Sequence, residues 1–127
     1  MVSVTYLDTH VVAWLYAGRR DLLSDAALQC VQSEELHISP IVTLELQFLY
    51  EIGRISVAGR PIVEDLQRRV GLRVCDAPFY TVISAALKDA WTRDPFDRVI
   101  VGHAASRQAA LVTKDQAIRD HYRQAVW

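Results

Sequence analysis

The sequence predicts an α/β fold in which helices cover both faces of a short parallel sheet. Short apolar runs typical of strands alternate with helical stretches, and each connection is long enough to hold a crossover helix. The chain has 127 residues, of which 51% are hydrophobic, so we expect one compact domain over residues 1–127. No repeat, low-complexity tract or linker divides the sequence.

Local signals predict each element in turn. Four apolar runs predict strands over residues 2–7, 36–39, 72–75 and 110–113. Ser24 is a typical N-cap, and Gly53 is a typical helix stop. Three helices are expected to open at prolines: Pro40, Pro61 and Pro95. The predicted helices span residues 11–16, 25–32, 40–52, 61–70, 79–87, 95–107 and 116–121.

Acidic residues recur near the ends of the predicted strands. Asp8 directly follows the first strand, and Asp115 comes two residues after Thr113, the end of the last one. Asp94 and Asp97 bracket the start of a helix. Because ligands of parallel sheets sit at the carboxyl ends of the strands, we expect these acids to share one edge of the sheet.

Glu45 lies in the second turn of the helix after the second predicted strand, within an apolar arc of that helix. The arc consists of Ile41, Leu44, Phe48, Leu49 and Ile52. We expect this arc to face the core, where a carboxylate needs a partner or a cation. A Glu at the edge of the arc, bonded to one arginine, is the alternative. Three other acids at the same edge favour a functional role.

Helix capping is an alternative explanation for the later acids. Asp94 at the cap, Pro95 at the first helical position and Asp97 three residues after the cap form a helix-start signature. Alone, this segment is more typical of a structural role, and Asp97 is the better catalytic candidate because Asp94 already has a capping role. Asp115 also precedes a helix. The prediction of an active site therefore depends on the convergence of the acids.

Carboxylates packed at one edge raise each other's pKa, and a divalent cation relieves their repulsion. A set of oxygen ligands with few histidines suits Mg²⁺ or Mn²⁺ better than Zn²⁺. Such a cation lowers the pKa of bound water and stabilises charge on phosphate oxygens. Phosphodiester hydrolysis is the reaction that best fits this set.

Four segments resemble the motifs of PIN-domain nucleases, particularly the VapC-type toxins. They are residues 7–15 (LDTHVVAWL), 39–45 (SPIVTLE), 93–101 (RDPFDRVIV) and 111–115 (LVTKD). Their order and spacing agree with that family over essentially the whole chain. One departure is the pair Gly102 and His103, where small or amide residues are expected on the helix.

The resemblance implies a three-layer α/β/α PIN-like fold, Mg²⁺ or Mn²⁺ at the acids, and cleavage of RNA by a type II toxin. It implies that Asp8 and Asp97 are the principal metal ligands, that Glu45 and Asp115 complete the cluster, and that Asp94 assists. A cognate VapB-like antitoxin and a homodimer are also implied, the antitoxin commonly placing a segment with an arginine across the acidic pocket.

Residues beside the acids are expected to support the site. Thr9 and Thr113 are candidates for hydrogen bonds to a ligand carboxylate or bound water. Arg93, Arg98 and Lys114 are candidates for binding RNA phosphates, and salt bridges to the same acids are the alternative.

The remaining chemistry-bearing residues are expected to have packing or surface roles. They are the histidines His10, His37, His103 and His121 and the aromatic residues Tyr6, Trp14 and Trp91. For the three aromatic residues we expect places in the core, and stacking of RNA bases on an exposed ring is the alternative. Cys30 and Cys75 are expected to be buried free thiols in a reducing cytoplasm. The net charge of −1 gives no global sign of nucleic-acid binding. No apolar run approaches the ~18 residues of a membrane span, and no signal peptide is readable.

Three other functions remain to be compared with the nuclease. A phosphoacceptor receiver domain needs an adjacent acid pair near the first strand, and a haloacid-type phosphatase needs an Asp where His10 stands. Neither accounts for Glu45. A non-catalytic RNA- or protein-binding module on the same fold is the alternative from a different functional class.

Overall fold

The computed structural model describes residues 3–127, so Val2, the predicted start of the first strand, lies outside the described residues. All five strands are parallel and form one sheet in the order β3-β2-β1-β4-β5. The strands are β1 (Val4–Leu7), β2 (Glu35–Ile38), β3 (Arg73–Val74), β4 (Ala110–Val112) and β5 (Ala125–Val126). The two-residue strand β5 was not predicted, because so short a segment carries no periodicity.

Among residues 3–127, seven α-helices connect the strands, and all seven were predicted with ends within two residues of those observed, although the helix expected to open at Pro61 begins at Gly59. They are α1 (Thr9–Tyr16), α2 (Asp25–Ser33), α3 (Pro40–Glu51), α4 (Gly59–Val70), α5 (Phe79–Ala86), α6 (Pro95–Ser106) and α7 (Gln116–His121). A 3₁₀ turn at Arg20–Leu22 was not predicted. Within residues 3–127, no helix is long and apolar enough to cross a membrane.

Helices cover both faces of the sheet, as the contacts of β1 show. Neighbouring strand residues point to opposite faces, and both Thr5 and Tyr6 are buried. The Thr5 hydroxyl lies 3.2 Å from the Cys30 sulfur of α2, whereas Tyr6 stacks on His103 of α6. Helices α2 and α6 therefore lie on opposite faces, and the predicted α/β/α architecture is confirmed. Cys30 and Cys75 are free thiols, as expected, although Cys30 is only half-buried.

Helix α3 corrects one prediction. The prediction that the apolar arc faces the core is wrong, because Leu44, Phe48 and Ile52 are 56%, 45% and 51% exposed. The face that enters the core carries Val42 and Leu46, both fully buried. Since α3 is apolar on most of its circumference, helical periodicity alone does not determine which face is buried. Packing against α1, α4 and α6 decides it.

Close packing of α5 and α6 explains the Gly102–His103 departure noted in the sequence. A Cβ atom on Gly102 would lie 2.9 Å from the carbonyl oxygen of Val82, so only glycine allows these helices to approach so closely. His103 is buried and stacks on Tyr6 with ring centroids 6.5 Å apart. Both residues thus have packing roles, and they fix the position of the helix that carries Asp97.

Candidate active site

The end of β1 lies at a topological switch point of the sheet. From β1 the sheet continues to β2 on one side and to β4 on the other, so the connections after these strands diverge there. Parallel α/β sheets bind ligands in the crevice that such a switch point creates. Asp8 follows β1 directly, and its backbone N–H donates to the carbonyl oxygen of Val112 in β4 at 3.0 Å.

A cleft of about 470 Å³ opens at this edge of the sheet. It is lined by Asp8, His10, Trp14, Glu45, Asp94, Asp97, Lys114 and Asp115. All five predicted acids therefore line one cleft, although they come from four separate segments. A larger cleft of about 630 Å³ lies elsewhere, where Glu34 is the single acid among the described lining residues, so it offers no comparable cluster.

Asp8 is the most deeply buried of the five acids, with 7% of its surface exposed. The Thr113 hydroxyl donates to one carboxylate oxygen at 2.6 Å, and the backbone N–H of Thr9 donates to the other at 2.8 Å. Burial raises the pKa of Asp8, while the two hydrogen bonds oppose that rise by stabilising the ionised form. The two bonds also fix the orientation of the carboxylate.

Glu45 is half-buried on α3, and the Thr9 hydroxyl donates to its carboxylate. Burial raises the pKa of Glu45, and the charges of Asp8 and Asp94 raise it further, against the lowering effect of the Thr9 bond. No arginine pairs with Glu45 among residues 3–127, so the predicted alternative of an arginine partner is not what holds this side chain.

Asp97 carries the clearest electrostatic signature of the cluster. Burial and the charges of the other carboxylates raise its pKa to about 7. The contributing acids, in order of effect, are Asp94, Asp8, Asp115 and Glu45. Since every other acid of the cleft acts on Asp97, the five carboxylates form one electrostatically coupled group.

Asp94 and Asp115 also have the capping roles that were considered as alternatives. Asp94 accepts from the backbone N–H groups of Phe96 and Asp97 at the start of α6. Asp115 accepts from the backbone N–H of Ile118 at the start of α7, at 3.0 Å. Both side chains are exposed and line the cleft, so capping holds their oxygens at its rim rather than removing them from it.

The three cations proposed for RNA binding differ in their surroundings. The Arg98 guanidinium donates to the carbonyl oxygens of Ala86 and Leu87, at the carboxyl end of α5. Arg93 donates to the carbonyl oxygen of Ala90. Only Lys114 lines the cleft. In residues 3–127 none of the three forms a salt bridge with an acid of the cleft.

Two cleft residues were missed as site residues by the sequence analysis. His10 is exposed and Trp14 packs partly against the core, as expected, but both also line the cleft with the acids. Their spacing was the available signal: residues i and i+4 share one face of a helix, and this helix begins directly after Asp8.

The donor set fits a hydrated divalent cation. Within residues 3–127, no three acidic, histidine or cysteine side chains are arranged to ligate one ion directly. Mg²⁺ usually keeps several waters and takes only one or two protein carboxylates, so it does not require three direct ligands. Such an ion stabilises the ionised form of carboxylates that raise one another's pKa values, as the acids around Asp97 and Glu45 do. Such an ion would be held directly by one or two acids of the cleft and by the others through its waters.

Comparison with known proteins identifies the fold and its family. The sequence profile of the PIN domain matches residues 5–124, which is nearly the whole chain. The chain belongs to the PIN domain family. This PIN domain is 33% identical over 127 residues to Ribonuclease VapC22 of Mycobacterium tuberculosis, a match that covers 94% of the chain and 93% of that relative.

Solved structures share the fold of this PIN domain at low sequence identity. One is a toxin–antitoxin complex from Klebsiella pneumoniae, with a TM-score of 0.66, 14% identity, and coverage of 97% of this chain and 96% of that one. Another is VapBC2 of Rickettsia felis bound to a DNA fragment from its promoter, with a TM-score of 0.64, 16% identity and 96% coverage of both chains. At these identities the likeness supports the shared fold.

Proposed function

We propose that this PIN domain is a metal-dependent endoribonuclease, the toxin of a type II toxin–antitoxin pair, which hydrolyses RNA phosphodiester bonds in the acidic cleft. The observation that carries the proposal is the convergence of five carboxylates from four segments, with all four neighbours acting on Asp97. The relative named Ribonuclease VapC22 supports RNA as the substrate.

We assign distinct tasks to the acids of the cleft. Asp8 and Asp97 would be the principal direct ligands for Mg²⁺ or Mn²⁺, and Glu45 and Asp115 would complete the set through waters bound to the ion. When bound, the cation lowers the pKa of water and offsets the charge that develops on the phosphate oxygens. Asp94 lies at the rim, where it holds the first turn of α6 and thereby positions Asp97.

The threonines orient the acids, and Lys114 is the cation available to the phosphate. Thr113 and Thr9 hold the oxygens of Asp8 in place, as expected of groups that support a metal ligand. Lys114 is exposed and lines the cleft beside Asp115, so its ammonium group is available to bind an RNA phosphate. Arg98 and Arg93 are weaker candidates because backbone carbonyls already accept their hydrogen bonds.

A cleavage assay tests the proposal directly. The purified chain is incubated with RNA in Mg²⁺, in Mn²⁺ and in a chelator, and the 5′ ends of the products are mapped. We expect cleavage only with a divalent cation and none in Asp8→Asn, which should remain folded. The matched control is Asp120→Asn, which alters an exposed acid outside the cleft whose side chain contacts Gln116.

Two results would contradict the enzymatic assignment. One is a folded chain that binds RNA but does not cleave it in either metal, which favours a non-catalytic binding module. The other is full activity in Asp8→Asn, because that result would show that cleavage does not require the Asp8 carboxylate. Equal loss of activity in Asp120→Asn would show that the assay responds to net charge rather than to the cleft.

The proposed partners are a cognate antitoxin and a second copy of the chain. The structural neighbours from Klebsiella pneumoniae and Rickettsia felis are toxin–antitoxin assemblies, which supports the antitoxin. The exposed apolar row of α3, formed by Leu44, Phe48 and Ile52, supports a protein partner because isolated soluble domains rarely expose such rows. Light scattering of the chain, alone and co-expressed with the product of the neighbouring reading frame, measures both assemblies.

A further inference from the structure

Two aromatic side chains of α1 face the same cleft as the acids. His10 is exposed and Trp14 is half-buried, and their ring centroids lie 6.1 Å apart with an interplanar angle of 48°. We call these two residues the aromatic surface. Trp14 also contacts Trp127, with ring centroids 6.1 Å apart and an interplanar angle of 53°.

Core packing accounts for only part of the aromatic surface, because Trp14 packs partly against the core but also lines the cleft. Val11 and Val12 of the same helix are fully buried and fill the core, whereas His10 is exposed and Trp14 lines the cleft. Neither the ligation of a cation nor the hydrogen bonds to the acids uses either ring. Apolar ring surface beside a cluster of carboxylates thus has no role in the chemistry assigned above.

The cleft combines three groups that match the parts of one nucleotide. Its acids suit a cation bound to phosphate, Lys114 suits a phosphate oxygen, and the aromatic surface suits the flat face of a base. Its volume of about 470 Å³ lies in the range of sites that enclose small ligands. The bases of an A-form duplex are stacked and paired, so only an unpaired base can reach such a surface.

We propose that the aromatic surface of His10 and Trp14 stacks on an unpaired base next to the phosphate that is cut. This inference rests on the proposed ribonuclease function and deepens it, because it assigns two residues, His10 and Trp14, that position the RNA beside the acids. Trp14 is a substrate-binding residue in this role, and the contact tolerates different bases because every base has an aromatic face.

The test measures binding and tryptophan fluorescence in the Asp8→Asn chain, which should not cleave, with a single-stranded RNA that spans a mapped cleavage position. The chain has three tryptophans. We expect RNA to quench fluorescence, and we expect most of the quenching to be lost in Trp14→Phe. The control Trp91→Phe should retain it, since Trp91 stacks on His121 outside the cleft.

A second arm removes the base instead of the ring. An abasic nucleotide at the cleavage position should weaken binding roughly 5- to 150-fold, the range expected for loss of one stacked base. Trp14→Leu should weaken binding of intact RNA by a similar factor, and the two changes together should cost no more than either alone. His10→Ala, at an exposed position with little risk to folding, should reproduce part of the loss.

Other outcomes overturn the inference. They are quenching that persists in Trp14→Phe, abasic RNA that binds as tightly as intact RNA, losses that simply add, and a duplex that is cut as fast as a single strand. These results leave the proposed function standing as long as the wild-type chain cleaves RNA. If the wild-type chain does not cleave RNA at all, it is the proposed function that fails, whatever the binding data show.

Discussion

At the scale of single residues, the acids of the cleft differ in what stabilises them. Asp8 has donors on both carboxylate oxygens, and Glu45 has the Thr9 hydroxyl. Among residues 3–127, Asp97 has no comparable donor, and all its acidic neighbours act to raise its pKa. The repulsion among the acids therefore acts on Asp97 with no hydrogen-bond donor to offset it, which makes Asp97 a position where stability and activity are expected to oppose each other.

The first prediction concerns Asp97→Asn in the absence of metal. The pKa of Asp97 is about 7 in the folded chain against 3.8 as its ordinary value, so between these values the folded state keeps a proton that the unfolded state has released. Raising the pH from 4 to 8 should thus destabilise the wild type through this group. Asn removes that dependence, and the variant should melt at a higher temperature than the wild type at pH 8.

Thermal melting of both chains across this pH range, in a chelator, measures the effect. Asp120→Asn is the control and should follow the wild-type profile. The same Asp97→Asn chain should lose cleavage by roughly 100-fold or more, a larger loss than is typical for residues that only support a ligand. A variant that is no more stable than the wild type at pH 8 would contradict the inference that repulsion on the Asp97 carboxylate destabilises the folded chain.

A second prediction at this scale concerns Thr113→Val, which keeps the shape of the side chain but removes its hydroxyl. The hydroxyl donates to Asp8 and accepts from the backbone N–H of Asp115, so it links two of the acids. We expect cleavage and Mn²⁺ affinity to fall roughly 10- to 100-fold. Thr113→Ser retains the hydroxyl and should restore most of both. If Ser and Val behave alike, the hydroxyl does not orient Asp8.

At the scale of elements, helix starts deliver the acids to the cleft. The α1, α6 and α7 helices each begin directly after an acid that caps them: Asp8, Asp94 and Asp115. The positive end of each helix dipole favours these carboxylates. The same backbone geometry that caps a helix therefore also fixes a carboxylate at the edge of the sheet, so capping and ligation are compatible roles for one residue.

The third prediction separates these two roles at the start of α6. Asp94→Ala should lose about 1 kcal/mol of stability, because it leaves the N–H groups of Phe96 and Asp97 without their acceptor. Asp94→Asn should cost little, since Asn caps about as well as Asp. Urea denaturation measures both changes. Strong loss of cleavage in Asp94→Asn at unchanged stability would show that Asp94 takes a direct part in the chemistry.

At the scale of the whole molecule, the carboxyl edge of the sheet holds acids that repel each other at neutral pH. A cation that binds only the folded state stabilises it, by about 2.7 kcal/mol at a hundred times its dissociation constant. The fourth prediction is therefore that millimolar Mn²⁺ raises the melting temperature of the wild type by several degrees. The rise should be much smaller in Asp8→Asn. Equal rises in both chains would place the ion elsewhere.

The sequence by itself determined the identity of the acids and the type and order of the elements, except for β5 and the 3₁₀ turn. Helix starts at Ser24, Pro40 and Pro95 were predictable because capping and proline geometry act over a few residues. The alternation of strands and helices predicted a parallel sheet, and the rule for its carboxyl edge predicted where Asp8 and Asp115 lie. These inferences need only the chemistry of a few neighbouring residues and the order of the elements along the chain.

Only the tertiary structure decided which faces are buried and which side chains meet. The sequence placed Phe48 and Leu44 in the core, but α3 is apolar on most sides, so long-range packing selected Val42 and Leu46 instead. Likewise, spacing puts His10 and Trp14 on one face of α1, but only the packed structure shows that this face lines the acidic cleft. Contacts between distant segments depend on the free energy of the whole packed arrangement, and that quantity is not encoded in any short stretch of chain.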